Sequence, residues 1–195
     1  RAGSISINTG TMTKSSHSGH AARMGVECGV LAKMGWTASA DVFGPKGFFD
    51  TFFNGDAKPE LLVEGFAAPL RMVDPGVGFK KHPSNYFTHR PIDAALALRE
   101  EFKIKPDAIE RVEVIFPRFD YVNRPRPESG LDGKFSVQYA TLVALLDGEI
   151  TIDSFTNERR FAPDIAALLP QVKLTVDDSI PPDFDQMHAV VSVWL

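Results

Sequence analysis

Two short runs gather the side chains that can do chemistry. The first is Gly10-Thr11-Met12-Thr13-Lys14-Ser15-Ser16-His17-Ser18-Gly19-His20, which sets one lysine and two histidines among small residues. The second is Phe79-Lys80-Lys81-His82-Pro83. Ammonium groups attract anions, and helix N-termini do so through their unpaired N–H groups. Cations collected in this way suit a ligand that carries carboxylates. Lys14 and Lys80 are the best candidates. A lysine near other cations in a partly closed pocket has its charged form disfavoured, so its pKa falls. It can then act as a base, or stay charged and clamp a carboxylate. Each lies in a polar stretch flanked by glycine or proline beside a structural element, so the two are expected to converge across 66 positions of sequence. Two solvated polar loops would have the same local composition.

Tyr121 lies in Asp120-Tyr121-Val122-Asn123-Arg124-Pro125-Arg126-Pro127, just after a candidate strand, where its hydroxyl can reach a reacting centre. Arg124 and Arg126 in the same stretch can grip carboxylates bidentately, although a solvated loop explains them equally well. Lys134 reads as a surface residue at a helix start, and His188 as structural. His17 and His20 stand at i, i+3, a spacing that can share a metal ion. They lack an acidic or cysteine partner nearby in sequence, so no metal site is expected. Cys28 sits in a run rich in Ala, Gly, Val and Leu and reads as an inert buried thiol. As the only cysteine it excludes an intrachain disulfide framework.

The elements that must position these groups follow from periodicity. Ala21, Gly25, Cys28 and Ala32 recur on one helix face within His20–Met34, and Gly35 is a plausible stop. Gly47–Asn54 (GFFDTFFN) is a short helical candidate whose phenylalanines read as an anchor in a core or an interface. Residues 55–78, rich in Gly, Pro and Asp, read as a connector. Thr88–Asp93 starts a helix with proline in its first turn, continuing through Phe102. Ile109–Phe116 alternates as a half-buried strand. Gly133–Leu146 is a long apolar helix candidate ended by Asp147-Gly148. Ala162-Pro163-Asp164 starts a short helix, and Val172–Val176 and Ala189–Leu195 alternate as strands. Helices and strands mix without a regular strand–helix–strand repeat, which favours an α+β fold over a doubly wound sheet.

The whole chain narrows the function classes. Its 195 residues, 44% hydrophobic and 24% charged, are ordinary for a globular protein of one large or two small domains. A net charge of −4 argues against nucleic acid as a partner but leaves room for a local basic pocket. No apolar run approaches the roughly 20 residues of a membrane span, and no signal peptide is visible at the start. No membrane partner is therefore expected. The phosphate loop, the dinucleotide fingerprint and the serine-hydrolase elbow are all missing. Opening on Arg1 and closing on the apolar run Val190–Leu195, the chain reads as an internal segment of a longer protein.

Four of these stretches together resemble the MmgE/PrpD family. TMTKSSHSGHAARMGVECGVLAKMG resembles its lysine segment and following helix, and FKKHPSNYFTHRPIDAALAL its second lysine motif and helix. FDYVNRP and SGLDGKFSVQYATLVALLDG resemble its later tyrosine and packing helix, all in the same order over residues 10–148. The family includes 2-methylcitrate dehydratase, cis-aconitate decarboxylase and iminodisuccinate epimerase. The resemblance implies proton transfer beside the carboxylates of a small di- or tricarboxylic acid, with no metal or organic cofactor. It implies the end of a large helical domain over residues 1–75, a smaller α+β domain over residues 76–195, and a cytoplasmic homodimer. By motif position Lys14, Lys80 and Tyr121 are catalytic, with His17, Lys81 and Asn85 binding substrate. Asn85 stands where relatives often carry a histidine or cysteine. An aspartate and histidines that the family draws from its helical domain are absent from this segment. YVNRP is closer to the decarboxylase-like branch than to the dehydratases. The expected function is a cofactor-independent lyase, the alternatives being a dicarboxylate epimerase and a non-catalytic anion-binding relative.

Overall fold

The computed structural model describes residues 7–53 and 56–195. The chain divides into two compact units, Gly19–Phe79 and a second one that joins residues up to Ser18 with Lys80–Leu195. The fold is α+β, as the mixture of periodicities predicts.

Helix α1 spans Met12–Lys33. It starts eight residues before the His20 boundary expected from apolar spacing, so Lys14 and His17 lie on a helix and not in a loop ahead of one. The start is set by Gly10, whose φ of +89° takes the chain out of helical conformation. After it the small polar residues satisfy themselves locally, with Ser16 Oγ donating to the Thr13 carbonyl at 2.8 Å. The helix ends as expected at Gly35, with φ of +90° and its N–H on the Ala32 carbonyl.

Within Gly19–Phe79 no described residue is buried. Cys28 is exposed, which corrects its reading as a buried thiol. The small residues around it are exposed, and a Cβ on Gly25 or Gly29 would have open space among the described residues. Helix α2, Phe48–Phe53, carries the phenylalanine cluster. Its rings pack mainly on one another and on Phe43, with centroids 5.1–6.3 Å apart, and enter no core here. A 3-10 turn at Pro59–Leu62 interrupts the connector.

The unit that includes Lys80–Leu195 holds the core. Helix α3 (His89–Phe102) begins with Pro91 in its first turn, and strand β1 (Arg111–Phe116) turns Val112, Val114 and Phe116 inward. Next come a 3-10 turn at Asp120–Val122, helix α4 (Gly130–Gly133) and helix α5 (Val137–Asp147). Helices α6 (Asn157–Arg160) and α7 (Pro163–Leu168) lead to strands β2 (Val172–Val176) and β3 (Val190–Trp194). The strand order is β2-β1-β3, β1 pairing parallel with β2 and antiparallel with β3. Every residue of α5 from Val137 to Leu146 is buried, as its all-round apolarity demands. It packs against α3 and the sheet. The expected single helix over Gly133–Leu146 is broken. Ser136 accepts the Tyr139 N–H at 3.0 Å and starts α5 afresh. No helix among the described residues is long and apolar enough to cross a membrane.

Candidate functional site

Three separate stretches bring their cations together. Lys14 lies in the first turn of α1, its Nζ 5.0 Å from the centre of the Phe135 ring. Lys80 curls back on its own loop, donating from Nζ to the Ser84 carbonyl at 2.9 Å. Lys134 sits half-buried in the break between α4 and α5, its Nζ 5.7 Å from the centre of the Phe155 ring. Its carbonyl accepts the Asn85 N–H at 2.8 Å, which ties this break to the Lys80 loop. Lys80 as a residue is exposed, but partial desolvation of its ammonium and the nearby charges of Lys14 and Lys134 lower its pKa. Among the described residues none of the three lysines has a carboxylate within ion-pair distance.

Asn85 and Tyr121 stand beside this cluster. Asn85 caps the turn Tyr86–Thr88, its Oδ1 accepting the Phe87 N–H at 3.0 Å. Tyr121 lies on the 3-10 turn after β1, five residues beyond the strand's last residue. Its ring meets Phe87 edge-on with centroids 5.7 Å apart, while 40% of the residue stays exposed. Partial burial raises its pKa, and a side-chain hydrogen bond with Asn85 pulls the other way.

Arg124 holds these pieces in place. Its Nη1 pairs with Asp132 of α4, its Nε donates to the Tyr121 carbonyl at 2.8 Å, and its Nη2 donates to the Thr9 carbonyl at 3.3 Å. One guanidinium thus joins the approach to Lys14, the Tyr121 turn and the helix before Lys134. Gly10 makes the approach possible, because a Cβ there would lie 2.7 Å from Arg124 Nη1 and 2.8 Å from Asp132 Oδ1. Gly133 lets the break come as close to Tyr139, whose ring would stand 2.7 Å from an added Cβ. The solvated-loop account of Arg124 therefore gives way to a structural tie. A cleft of about 540 Å³ opens beside it. That cleft mixes Arg126 with Glu128 and Asp132 and includes none of the three lysines.

The remaining expected residues fall elsewhere. Lys81 is exposed and its Nζ meets Asp93 Oδ1 at 2.7 Å, so its charge is already compensated. His17, one helical turn from Lys14, has a buried Nε2 with no hydrogen-bond partner among the described residues. Behind the Lys80 loop lies a histidine pair whose partnership the sequence did not reveal. His82 Nε2 is 2.9 Å from Asp93 Oδ1, and its ring meets that of His89 with centroids 5.2 Å apart. His89 is 8% exposed, and its Nε2 has no hydrogen-bond partner among the described residues. Burial, then the charges of His82 and Lys80, hold its pKa down, which favours the neutral ring. Burial works to raise Asp93, but hydrogen bonds from Lys81 and His82 outweigh it and hold that carboxyl below its usual range. No group of three or more His, Cys, Asp or Glu that could hold a metal ion occurs among the described residues.

Lys134 was the cation missed from sequence. Its signal was the run Gly130-Leu131-Asp132-Gly133-Lys134 ahead of a wholly apolar helix, where glycines permit close approach and place the lysine at a packed junction.

Residues 82–195 match the MmgE/PrpD C-terminal domain. The whole chain aligns with cis-aconitate decarboxylase from Mus musculus at 34% identity and from Homo sapiens at 32% identity. It spans 41% of the length of each of these relatives. On the family match, which takes in more than half of its residues, the chain belongs to the MmgE/PrpD family.

Proposed function

We propose that this chain carries part of the active site of a lyase acting on a small polycarboxylate such as cis-aconitate or 2-methylcitrate. The observation that carries the reading is that Lys14 stands near enough to Lys80 for its charge to help lower the Lys80 pKa, with no carboxylate at ion-pair distance from either among the described residues. Two such ammonium groups hold substrate carboxylates and stabilise the enolate-like charge that forms when CO2 or water leaves. Tyr121, with its hydroxyl kept protonated by partial burial and steadied by Asn85, orients the substrate or delivers a proton. A further proton donor comes from outside these residues. The relatives' decarboxylase activity supports CO2 loss over dehydration. In the same reading, residues 1–75 end a helical domain and residues 76–195 form the α+β domain.

The test is turnover of cis-aconitate and of 2-methylcitrate by the intact protein, with product identified by NMR in D2O. Release of CO2 and uptake of one deuteron is the expected outcome. Exchange of a carbon-bound proton without loss of CO2 or water would point to epimerisation instead. No reaction with either acid would remove the lyase reading.

A further inference from the structure

Helix α5 is buried from Val137 to Leu146, yet its second residue is a glutamine, 2% exposed. The other polar side chains of that stretch are satisfied. Thr141 donates to the Val137 carbonyl at 2.7 Å, and Tyr139 to the Ser154 carbonyl at 2.6 Å. Gln138 is satisfied at one end only. Its Nε2 donates to Asn123 Oδ1 at 2.6 Å, while its Oε1 is buried with no hydrogen-bond partner among the described residues. A half-satisfied amide in an apolar interior costs stability that an apolar side chain of the same shape would not.

The one bond Gln138 makes falls on the turn that carries Tyr121. Asn123 directly follows the 3-10 turn Asp120–Val122. Its φ of −82° and ψ of 80°, with the Arg124 N–H on the Val122 carbonyl at 3.1 Å, make it the centre of an inverse γ-turn. The other backbone bonds here are equally local, from the Val122 N–H to the Phe119 carbonyl at 3.0 Å and from the Asn123 N–H to the Asp120 carbonyl at 3.3 Å. Such bonds set the shape of the turn but not its place. Its place comes from the buried Val122, from the Arg124–Asp132 pair, and from the start of α5. There Ser136 Oγ donates to the Arg124 carbonyl at 2.6 Å and Gln138 holds Asn123. Ser136 has a reason of its own to be polar, since it caps α5. Gln138 has none within the helix.

We propose that Gln138 is a positioning residue for Tyr121, acting through the Asn123 side chain to hold the phenol where the reaction needs it. The proposal rests on the reading of Tyr121 as the group that orients substrate or delivers a proton.

The test is steady-state kinetics of the intact protein on cis-aconitate and 2-methylcitrate, paired with a thermal melt and with 13C NMR of protein labelled at the tyrosine Cζ. The Tyr121 signal is assigned by its loss in Tyr121→Phe. Gln138→Met should lower kcat roughly 10- to 100-fold, the scale of a small misplacement of a reacting group, with KM within about twofold. Its melting temperature should hold or rise, and the Tyr121 signal should shift or broaden. In a Tyr121→Phe background the same substitution should cost nothing further, because its effect passes through the phenol. Asn123→Ala, at an exposed position, removes the same bond from its other end and should repeat the pattern even if Gln138→Met fails to fold. Unchanged kcat, an equal loss in both backgrounds, or an unmoved Tyr121 signal overturns the positioning role. Wild-type turnover by Tyr121→Phe overturns it together with the task given to Tyr121. A wild type that turns over neither acid removes the lyase reading, and the Tyr121 signal then decides the positioning alone.

Discussion

Arg159 and Lys80 show two ways for one unit to use a cation. Arg159, 19% exposed at its side chain, lies between Asp147 and Asp164, with four nitrogen–oxygen distances of 2.7–2.9 Å. Its pKa is raised, chiefly by the hydrogen bond with Asp147, and Asp164 is lowered in turn, chiefly by the hydrogen bond from Arg159. Lys80 donates to a backbone carbonyl, and its pKa falls through partial burial first and then through the charges of Lys14 and Lys134. The Arg159 charge is satisfied internally, so it joins the end of α5 to the start of α7 and has nothing left for a ligand. The charge on Lys80 costs the folded state some repulsion and is available to whatever anion arrives. In this pair the compensated cation ties two helices together, while the uncompensated one is the candidate for holding a ligand.

Removing Lys80 puts the greatest strain on that contrast. Lys80→Ala in the intact protein should lower turnover roughly 10²–10³-fold, the effect of deleting one preorganised charge worth about 2.7–4 kcal/mol in a transition state. Its melting temperature should stay level or rise slightly, because repulsion is relieved. Steady-state kinetics paired with a thermal melt reads both. Wild-type turnover would return Lys80 to the ordinary surface.

Arg159→Ala should behave in the opposite sense. It strands two carboxylates, one of them on the rim, so unfolding in urea should reveal a loss of about 1–3 kcal/mol. Turnover per folded molecule should not change. A drop in turnover without a drop in stability would break the division between structural and functional cations.

The smallest effect belongs to His89, which is neither compensated nor charged. Its folded pKa lies below the unfolded value of about 6.5, so the unfolded chain takes up a proton first. Stability owed to the neutral ring is therefore complete above that value. It declines as pH falls through it, at no more than about 1.4 kcal/mol per pH unit for one proton. The lowered Asp93 contributes stability that is lost at more acidic pH, starting as pH falls through the usual carboxylate range and finishing below it. Urea midpoints between pH 7 and pH 5 should slope for wild type and flatten in His89→Gln. An unchanged slope in the variant would show that His89 is already protonated when folded.

Legibility in the sequence followed the range of the interactions. The alternation of β1 and the proline in the first turn of α3 are local signals, and both elements form where expected. The start of α1 was misplaced because Thr, Ser and Gly read as a loop, whereas backbone geometry at Gly10 and local bonds such as Ser16 to Thr13 decide it. The split before α5 depends on Ser136, whose Oγ also donates to the Arg124 carbonyl at 2.6 Å, a partner twelve residues away. Lys14 and Lys80 were picked out by their flanking residues and by resemblance. Lys134, Arg124 and the His82–His89 pair needed coordinates, because their roles come from neighbours that no local window contains.

The hydrogen bond from Arg124 to the Thr9 carbonyl spans 115 positions of sequence. The arm that carries Lys14 is thus tied to the unit by a long-range closure, whose entropic cost grows only slowly with loop length. An anion gripped by Lys14 on this arm and by Lys80 on its own loop bridges the same gap. It binds only the closed chain, and mass action then adds its binding free energy to the stability of that closure. In the proposed reading the ligand of this site would also act as a reversible crosslink between two stretches of chain far apart in sequence.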